Sequence, residues 1–289
     1  MTALTLAQVT TAIVAIYAFG FGIIAVLALI PARRKDAMEF GKTLGTAVAL
    51  IAVLTALFWL GDTALLIALP AIVARISYEV VFVRMPSKQT ALLIGLAAGA
   101  LAFAAMMHEL GGLAVLGLFF IALARLIIGR RKAIASTLIF PILPACLLAS
   151  GTVDPTLGPF LLAAYLMVEI FDSFALFFGA MWGRTKAFPT LSPNKTVEGL
   201  LGGGLALLTL SLITAAALGL PLLPTALTAL LVGVLAVVGD LAASRHKRIA
   251  GVKDYPQVLP RQGGLLDSLD SWIAAGAGIT ALHTIAQLW

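Results

Sequence analysis

Carboxylates inside or at the ends of long apolar runs are expensive and mark functional candidates, and five of them fall in the second half of the chain in a pattern that suits a shared site. Glu169 and Asp172 lie three residues apart within one run, Asp240 closes another, and Asp267 and Asp270 open a third, again three apart. An i, i+3 pair shares one face of a helix, so both carboxylates of a pair can reach one site. Hard oxygen donors of this kind suit a divalent cation such as Mg2+. Between Asp240 and Asp270 the bases Lys247, Arg248, Lys253 and Arg261 are interleaved with the acids. A purely basic cluster at a membrane edge would fix topology or bind anionic headgroups. Acids among the bases instead suit a metal-bridged phosphate site, such as one for a triphosphate. The competing reading pairs each Asp with a neighbouring Lys or Arg.

Two backbone features accompany these side chains. Gln262-Gly263-Gly264 offers chain that a ligand can approach closely. Upstream, Leu191-Ser192-Pro193-Asn194-Lys195-Thr196-Val197-Glu198-Gly199 precedes an apolar run. Ser192 or Thr196 can cap the incoming helix, with the Ser-Pro turn starting it, and Lys195 beside that helix N-terminus makes an anion site. A simple cap uses the same residues. Gly199 and Gly202 to Gly204 follow no strand and carry no GK[ST] sequence, so they read as close helix packing and not as a phosphate loop.

The elements that must hold these groups are membrane helices. The chain has 289 residues, 61% hydrophobic and only 11% charged, with a mean hydropathy of +1.09, which excludes an ordinary soluble domain. Ten runs can cross a bilayer as helices: 9–30, 44–60, 62–82, 89–107, 111–128, 133–150, 157–182, 198–218, 222–240 and 265–288. They are continuously apolar and do not alternate, which favours helices over a barrel. All Lys and Arg except Arg75 cluster at or after the odd-numbered spans. By the positive-inside rule those loops are cytoplasmic and both termini face outward. The net charge of +6 is thus a topology signal and needs no nucleic acid to explain it.

The first span lacks a charged leader and a small-residue cleavage site and reads as a retained helix. Cys146, the one cysteine, gives no disulfide framework and no Cys-based metal site. Pro141 and Pro144 are expected to kink the sixth span. Residues 1–150 read as a scaffold half. Residues 151–289 carry the two longest cytoplasmic loops, 183–197 and 241–264, and with them the chemistry; both halves form one integral membrane unit.

The charged segment resembles the phosphatidate cytidylyltransferase family, the CDP-diacylglycerol synthases. Its signature, S-x-x-K-R, four residues, K-D, then P-x-H-G-G-x-x-D-R-x-D, is matched by Ser244, Lys247-Arg248, Lys253-Asp254, Pro260, Gly263-Gly264, Asp267 and Asp270. An upstream Asp-x-x-Ala helix matches at Asp172 and Ala175, and an S-P-x-K-T-x-E-G loop at Ser192 to Gly199. The likeness covers roughly residues 165–275. Gln262 stands where the family has His, and Ser268 where it has Arg.

The resemblance implies an all-α polytopic membrane protein with about ten transmembrane helices and a polar site at the cytoplasmic face of a bacterial inner membrane. It implies transfer of the cytidylyl group of CTP to phosphatidic acid, giving CDP-diacylglycerol and pyrophosphate. Asp240, Lys247, Lys253 and Asp267 would be catalytic. Ser192, Lys195, Thr196, Ser244, Arg248, Gly263 and Gly264 would bind substrate. Asp240, Asp267 and Asp270 would hold Mg2+, with Asp172 and Asp254 as further ligand candidates and a second cation beside it. The expected partners are CTP, the lipid phosphate, membrane lipids and, in a homodimer, a second copy. The alternatives are a paralogue using a polyprenyl or isoprenoid phosphate, a transporter or lipid translocase, and a non-catalytic binder of anionic lipids.

Overall fold

Hydrocarbon surroundings leave backbone N–H and C=O groups no partners but each other, so each apolar run folds as helix. The structure is a computed structural model and describes residues 4–85, 87–128, 132–258 and 263–289. The helices are α1 (Leu6–Ala28), α2 (Arg34–Leu60), α3 (Asp62–Arg84), α4 (Lys88–Met107), α5 (Gly111–Ile128), α6 (Lys132–Thr137), α7 (Leu143–Thr152), α8 (Gly158–Trp182), α9 (Val197–Leu218), α10 (Leu222–Ile249) and α11 (Leu265–Ala286). The sixth run is divided between α6 and α7 by a turn at Leu138–Ile142, where Phe140 leaves helical geometry just before Pro141. Among the described residues a single short hairpin, β1 (Lys186–Phe188) with β2 (Ser192–Thr196), interrupts the helices.

The protein is an all-α polytopic membrane protein. Eight segments are long and apolar enough to cross a membrane: α1, most of α2, α3, α4, the α6–α7 pair, α8, α9 and α10. The ten expected runs are all helical, but α5 is shorter and α11 is not among the eight. The reason for α11 lies in its composition. It carries Asp267, Ser268, Asp270 and Ser271 in its first two turns and buries Leu266, Leu269, Trp272 and Ile273 inside the bundle, so it is a core helix with a polar entrance.

Packing follows small residues. α8 lies along α9 because Gly199 and Gly203 have no room for a side chain: a Cβ would come within 2.6 Å of the Ala175 carbonyl and 2.7 Å of the Phe171 carbonyl. That is the helix-packing role read from the sequence. α11 runs between α10, α7 and α8. The Trp272 indole N–H donates to the Leu161 carbonyl at 2.9 Å, and its ring meets Tyr165 edge-on at 5.4 Å. These contacts fix the register of α11 against α8.

Candidate active site

Three helices and the hairpin bring the acids together. Gly239 faces the Asp270 carbonyl with no space for a Cβ, so α10 and α11 approach closely and Asp240 comes beside Asp270. Ser271 Oγ donates to the Ala236 carbonyl at 3.1 Å and locks that approach. From β2 the Lys195 ammonium enters the group, 3.2 Å from Asp240 Oδ2 and 3.9 Å from Asp172 Oδ1. Asp240, Lys247, Asp172 and Lys195 are the charged groups acting on Asp270, whose side chain is buried. Burial works to lower the Lys195 pKa, but the Asp172 and Asp240 carboxylates outweigh it and hold the ammonium above its ordinary value of 10.5. Two carboxylates therefore hold one fixed cation, with Asp270 beside them.

A second group adjoins the first. Lys247 Nζ donates to Asp267 Oδ1 at 2.6 Å. Asp267 Oδ2 accepts from the backbone N–H of Tyr255 at 2.9 Å and of Gly264 at 3.0 Å. Both oxygens of Asp267 thus accept from the chain itself and fasten Tyr255 and Gly264 to Lys247 of α10. Gly263 adopts φ +81°, and a Cβ there would strike Asp267 Oδ2, as one on Gly264 would strike Glu79 Oε2. The close approach expected of Gly263-Gly264 is made to these carboxylates. Tyr255 lies under the Lys247 ammonium at 5.5 Å, and its hydroxyl donates to the Ala243 carbonyl at 3.1 Å. Burial first, then the Asp270 and Asp267 charges, push its phenol above the ordinary range.

Sequence reasoning placed Lys247 and Arg248 in a loop, and the structure corrects this. α10 continues to Ile249, because Leu241 to Ile249 contains no Gly or Pro and carries Lys247 and Arg248 in its last turn, cations favoured at a helix C-terminus. Asp240, Ser244 and Lys247 then fall at i, i+4 and i+7 on one face. Ser244 is buried. Arg248 is exposed and reaches the hairpin, donating to the Leu191 carbonyl and to the Val252 carbonyl, each at 3.3 Å.

Of the two candidate caps, Ser192 and Thr196, the structure uses Thr196. Ser192 lies in β2 opposite Phe188, and Thr196 alone caps α9, accepting from the Gly199 N–H at 3.2 Å. Glu198 accepts from the backbone N–H groups of Arg184 and Thr185 and fastens the hairpin base. Lys253 and Asp254 are exposed on the loop, and neither forms an ion pair with the acid cluster. Pro260, Arg261 and Gln262 lie outside the described residues.

Sequence reasoning missed Glu79. Its side chain is fully buried. Oε1 accepts from the Leu265 N–H at 3.1 Å and Oε2 from the Leu266 N–H at 2.9 Å, which caps α11 from outside. Arg75 donates to Glu79 at 2.9 Å and to the Pro256 carbonyl at 3.3 Å. The signal was present in the sequence: an Arg and a Glu at i, i+4 inside an otherwise apolar span.

The carboxylates of Asp172 and Asp240 share the Lys195 ammonium, and oxygen donors of this type are those a hard divalent ion takes. Among the described residues no group of three or more His, Cys, Asp or Glu is placed so that it could hold a metal ion.

A family model described as the cytidylyltransferase family matches residues 42–286. A phosphatidate cytidylyltransferase of Staphylococcus haemolyticus is 35% identical over 116 residues, 39% of this chain and 45% of that protein. One of Staphylococcus saprophyticus is 38% identical over 120 residues, again 39% of this chain and 45% of that protein. The uncharacterized protein YnbB of Escherichia coli is 41% identical over 119 residues, 40% of each chain. The chain thus spans less than half the length of these curated relatives. With the family model matching from within α2 to the end of α11, the chain belongs to the cytidylyltransferase family.

Proposed function

We propose that this protein transfers the cytidylyl group of CTP to a membrane lipid phosphate, phosphatidic acid in the first instance, releasing pyrophosphate and forming CDP-diacylglycerol. The observation that carries the reading is a shared wall. Asp172, which pairs with Lys195 in the charged cluster, also lines an apolar cavity between α1, α2 and α8. A polar nucleotide and an apolar lipid can meet only where such spaces touch.

In the proposed reaction an oxygen of the lipid phosphate attacks the α-phosphorus of CTP in line. The new P–O bond forms as the bond from the α-phosphorus to the α,β-bridging oxygen breaks, and pyrophosphate leaves with that electron pair. The attacking phosphate is already anionic, so no general base is required. The protein's part is positioning and charge neutralisation. Lys195 and Lys247, each held by carboxylates, present fixed ammonium groups to the phosphates. Arg248 and Ser192, joined through the hairpin, border the nucleotide. Ser244 lies between Asp240 and Lys247 on the α10 face. Lys253 and Asp254 lie on the exposed loop, where Lys253 can meet a triphosphate as it enters.

Asp240 and Asp270, with Asp172, would hold Mg2+ and any second cation. When bound, the metal would supply charge neutralisation at the phosphate oxygens. Asp267 serves the same site by orienting Lys247 and the backbone at Tyr255 and Gly264. The charge bias of the loops supports a site that faces the cytoplasm, with both termini outward, and the bacterial relatives suit an inner membrane.

Incubation of the detergent-purified protein with α-labelled CTP, Mg2+ and phosphatidic acid should yield a labelled CDP-lipid; absence of any nucleotide-bearing lipid rejects the reading. Orientation is tested separately by cysteines at Lys186 and Lys253, since native Cys146 is buried. Labelling of either position from outside intact cells overturns the assignment.

A further inference from the structure

A polar cavity of about 290 Å³ forms where the α4–α5 loop, the α7–α8 loop and the C-terminal end of α11 meet. It lies at the far end of α11 from the charged cluster: the rise from Asp270 to His283 is about 20 Å. On the orientation proposed above, this is the outward face. Thr280, His283, Thr284 and Gln287 fall at i, i+3, i+4 and i+7 and line the cavity from one side of α11. The other elements contribute Glu109 and Asp154. Thr280 is 2% exposed, and its hydroxyl has no hydrogen-bond partner. A Cβ at Gly151 would come within 2.5 Å of Thr280 Oγ1, so glycine leaves that oxygen uncovered. A buried hydroxyl left unpaired costs stability, and one on a cavity wall is explained by a ligand that pairs it. Asp154 has accepting capacity left as well. Its Oδ1 accepts from the Thr156 N–H and hydroxyl and from the Leu157 N–H, whereas its Oδ2 has the His283 ring nitrogen at 3.3 Å. Burial acts to raise the Asp154 pKa, but the Thr156 and Leu157 donors and then His283 outweigh it and hold the carboxyl below its ordinary value of 3.8. Glu109 is exposed. No Lys or Arg lines the cavity; its basic groups are His108 and His283, and an imidazole is a cation only when protonated.

We propose that this cavity binds a primary ammonium group, with Asp154 and Glu109 supplying the countercharge and the Thr280 hydroxyl accepting one of its hydrogen bonds. The site is separate from the charged cluster and does not depend on the transfer reading. A protonated primary amine has three N–H donors and no acceptor, so it needs oxygens on several sides; two carboxylates and the Thr280 and Thr284 hydroxyls offer them. A quaternary ammonium would instead want aromatic faces, and no Phe, Tyr or Trp lines the cavity. A hard divalent ion would want a gathered set of ligands, which the described residues do not form. An anion would meet the two carboxylates. The ammonium can belong to a small soluble amine or to the ethanolamine headgroup of a lipid, and the recognising chemistry is the same for both.

The test adds ethanolamine to the full-length protein in detergent and amine-free buffer, at matched ionic strength, with thermal unfolding followed by exposure of the buried Cys146. A ligand of the folded state raises the melting temperature as its concentration rises. Wild type should be stabilised with half-saturation on the order of 1 mM, the range open to so small a ligand. Ethylene glycol, which lacks the charge, and choline, which lacks the N–H donors, should be at least about tenfold weaker. Thr280→Val keeps the shape and removes the unpaired hydroxyl. Without amine it should melt at or above wild type, and it should need at least about tenfold more ethanolamine. Glu109→Gln should weaken the response by a similar factor. Nanodiscs separate the two sources. With a lipid headgroup as occupant, wild type should melt higher in phosphatidylethanolamine than in phosphatidylglycerol, Thr280→Val should not, and free ethanolamine should add nothing in the former. With a soluble amine as occupant, ethanolamine should stabilise equally in both. No stabilisation by ethanolamine in detergent, an equal effect of ethylene glycol or choline, an unchanged response in both variants, or a lower melting temperature of Thr280→Val without amine overturns the inference. Stabilisation by Ca2+ that is lost in Glu109→Gln, with none by ethanolamine, marks a metal site and overturns it too.

Discussion

Glu79→Ala is the sharpest test of how the site is held. The substitution removes the acceptor for the Leu265 and Leu266 N–H groups and the partner of Arg75. Taking one partner from a buried pair costs about 3–5 kcal/mol. Two buried N–H groups left unpaired, at about 1–3 kcal/mol each, give a similar figure and are the same loss counted another way. Arg75 is 35% exposed, so solvent screens its share and most of the cost falls on the α11 N-terminus. About 4 kcal/mol is the working estimate. Glu79→Gln keeps one oxygen acceptor but turns an NH2 group toward donors, and should cost about half as much. The assay is thermal unfolding in detergent read by a thiol-reactive dye at Cys146, which is fully buried until the protein opens. Because α11 carries Asp267 and Asp270, turnover below the melting temperature should also fall, by about tenfold or more. Wild-type melting and full turnover in Glu79→Ala would refute the claim that Glu79 positions the helix.

Asp240→Asn preserves shape and removes a charge from the cluster around Lys195, and should lower cytidylyl transfer by on the order of a hundredfold in initial-rate measurements. The raised Lys195 pKa sets a pH window: the stabilisation is complete below the ordinary lysine value of 10.5 and is lost as pH rises through the higher folded value. The melting temperature of wild type should therefore fall more steeply above that pH than that of Lys195→Met, and a difference that vanishes near neutrality contradicts the assignment. Ser268→Arg together with Gln262→His should raise turnover with phosphatidic acid more than it changes the KM for CTP. The reverse pattern would put these positions on the nucleotide side.

The helices and the reactive residue types were legible because each rests on local chemistry. Long apolar runs have one backbone solution in a bilayer, and intramembrane carboxylates at i, i+3 declare a shared face. What the sequence hid depends on contacts between distant segments. Gly239 reads as an ordinary helical glycine until α11 is laid against it. The bonds from Lys247 and from the Tyr255 and Gly264 N–H groups to Asp267 join residues 12 and 20 apart as well as one local pair, and no periodicity announces them. The extension of α10 past Asp240 was obscured by its density of charge, although Ser244 to Ile249 contains no helix breaker. The β1–β2 hairpin is too short for its alternation to show, and Ser192 looked like a cap because Ser-Pro is a common helix start. Glu79 is 186 residues from its partner Leu265, a separation no local pattern reveals.

The central claim is that the bond broken in CTP lies between the α- and β-phosphates and that the α-phosphoryl, with its nucleoside, goes to the lipid. Parallel reactions with α-labelled and γ-labelled CTP, each with Mg2+, phosphatidic acid and purified protein, measure this directly. The account predicts that α-label enters the chloroform-soluble lipid in equal amount to pyrophosphate released, while γ-label stays in the aqueous phase as pyrophosphate. Lipid labelled from the γ-phosphate, or CTP consumed with no label in the lipid, would contradict it.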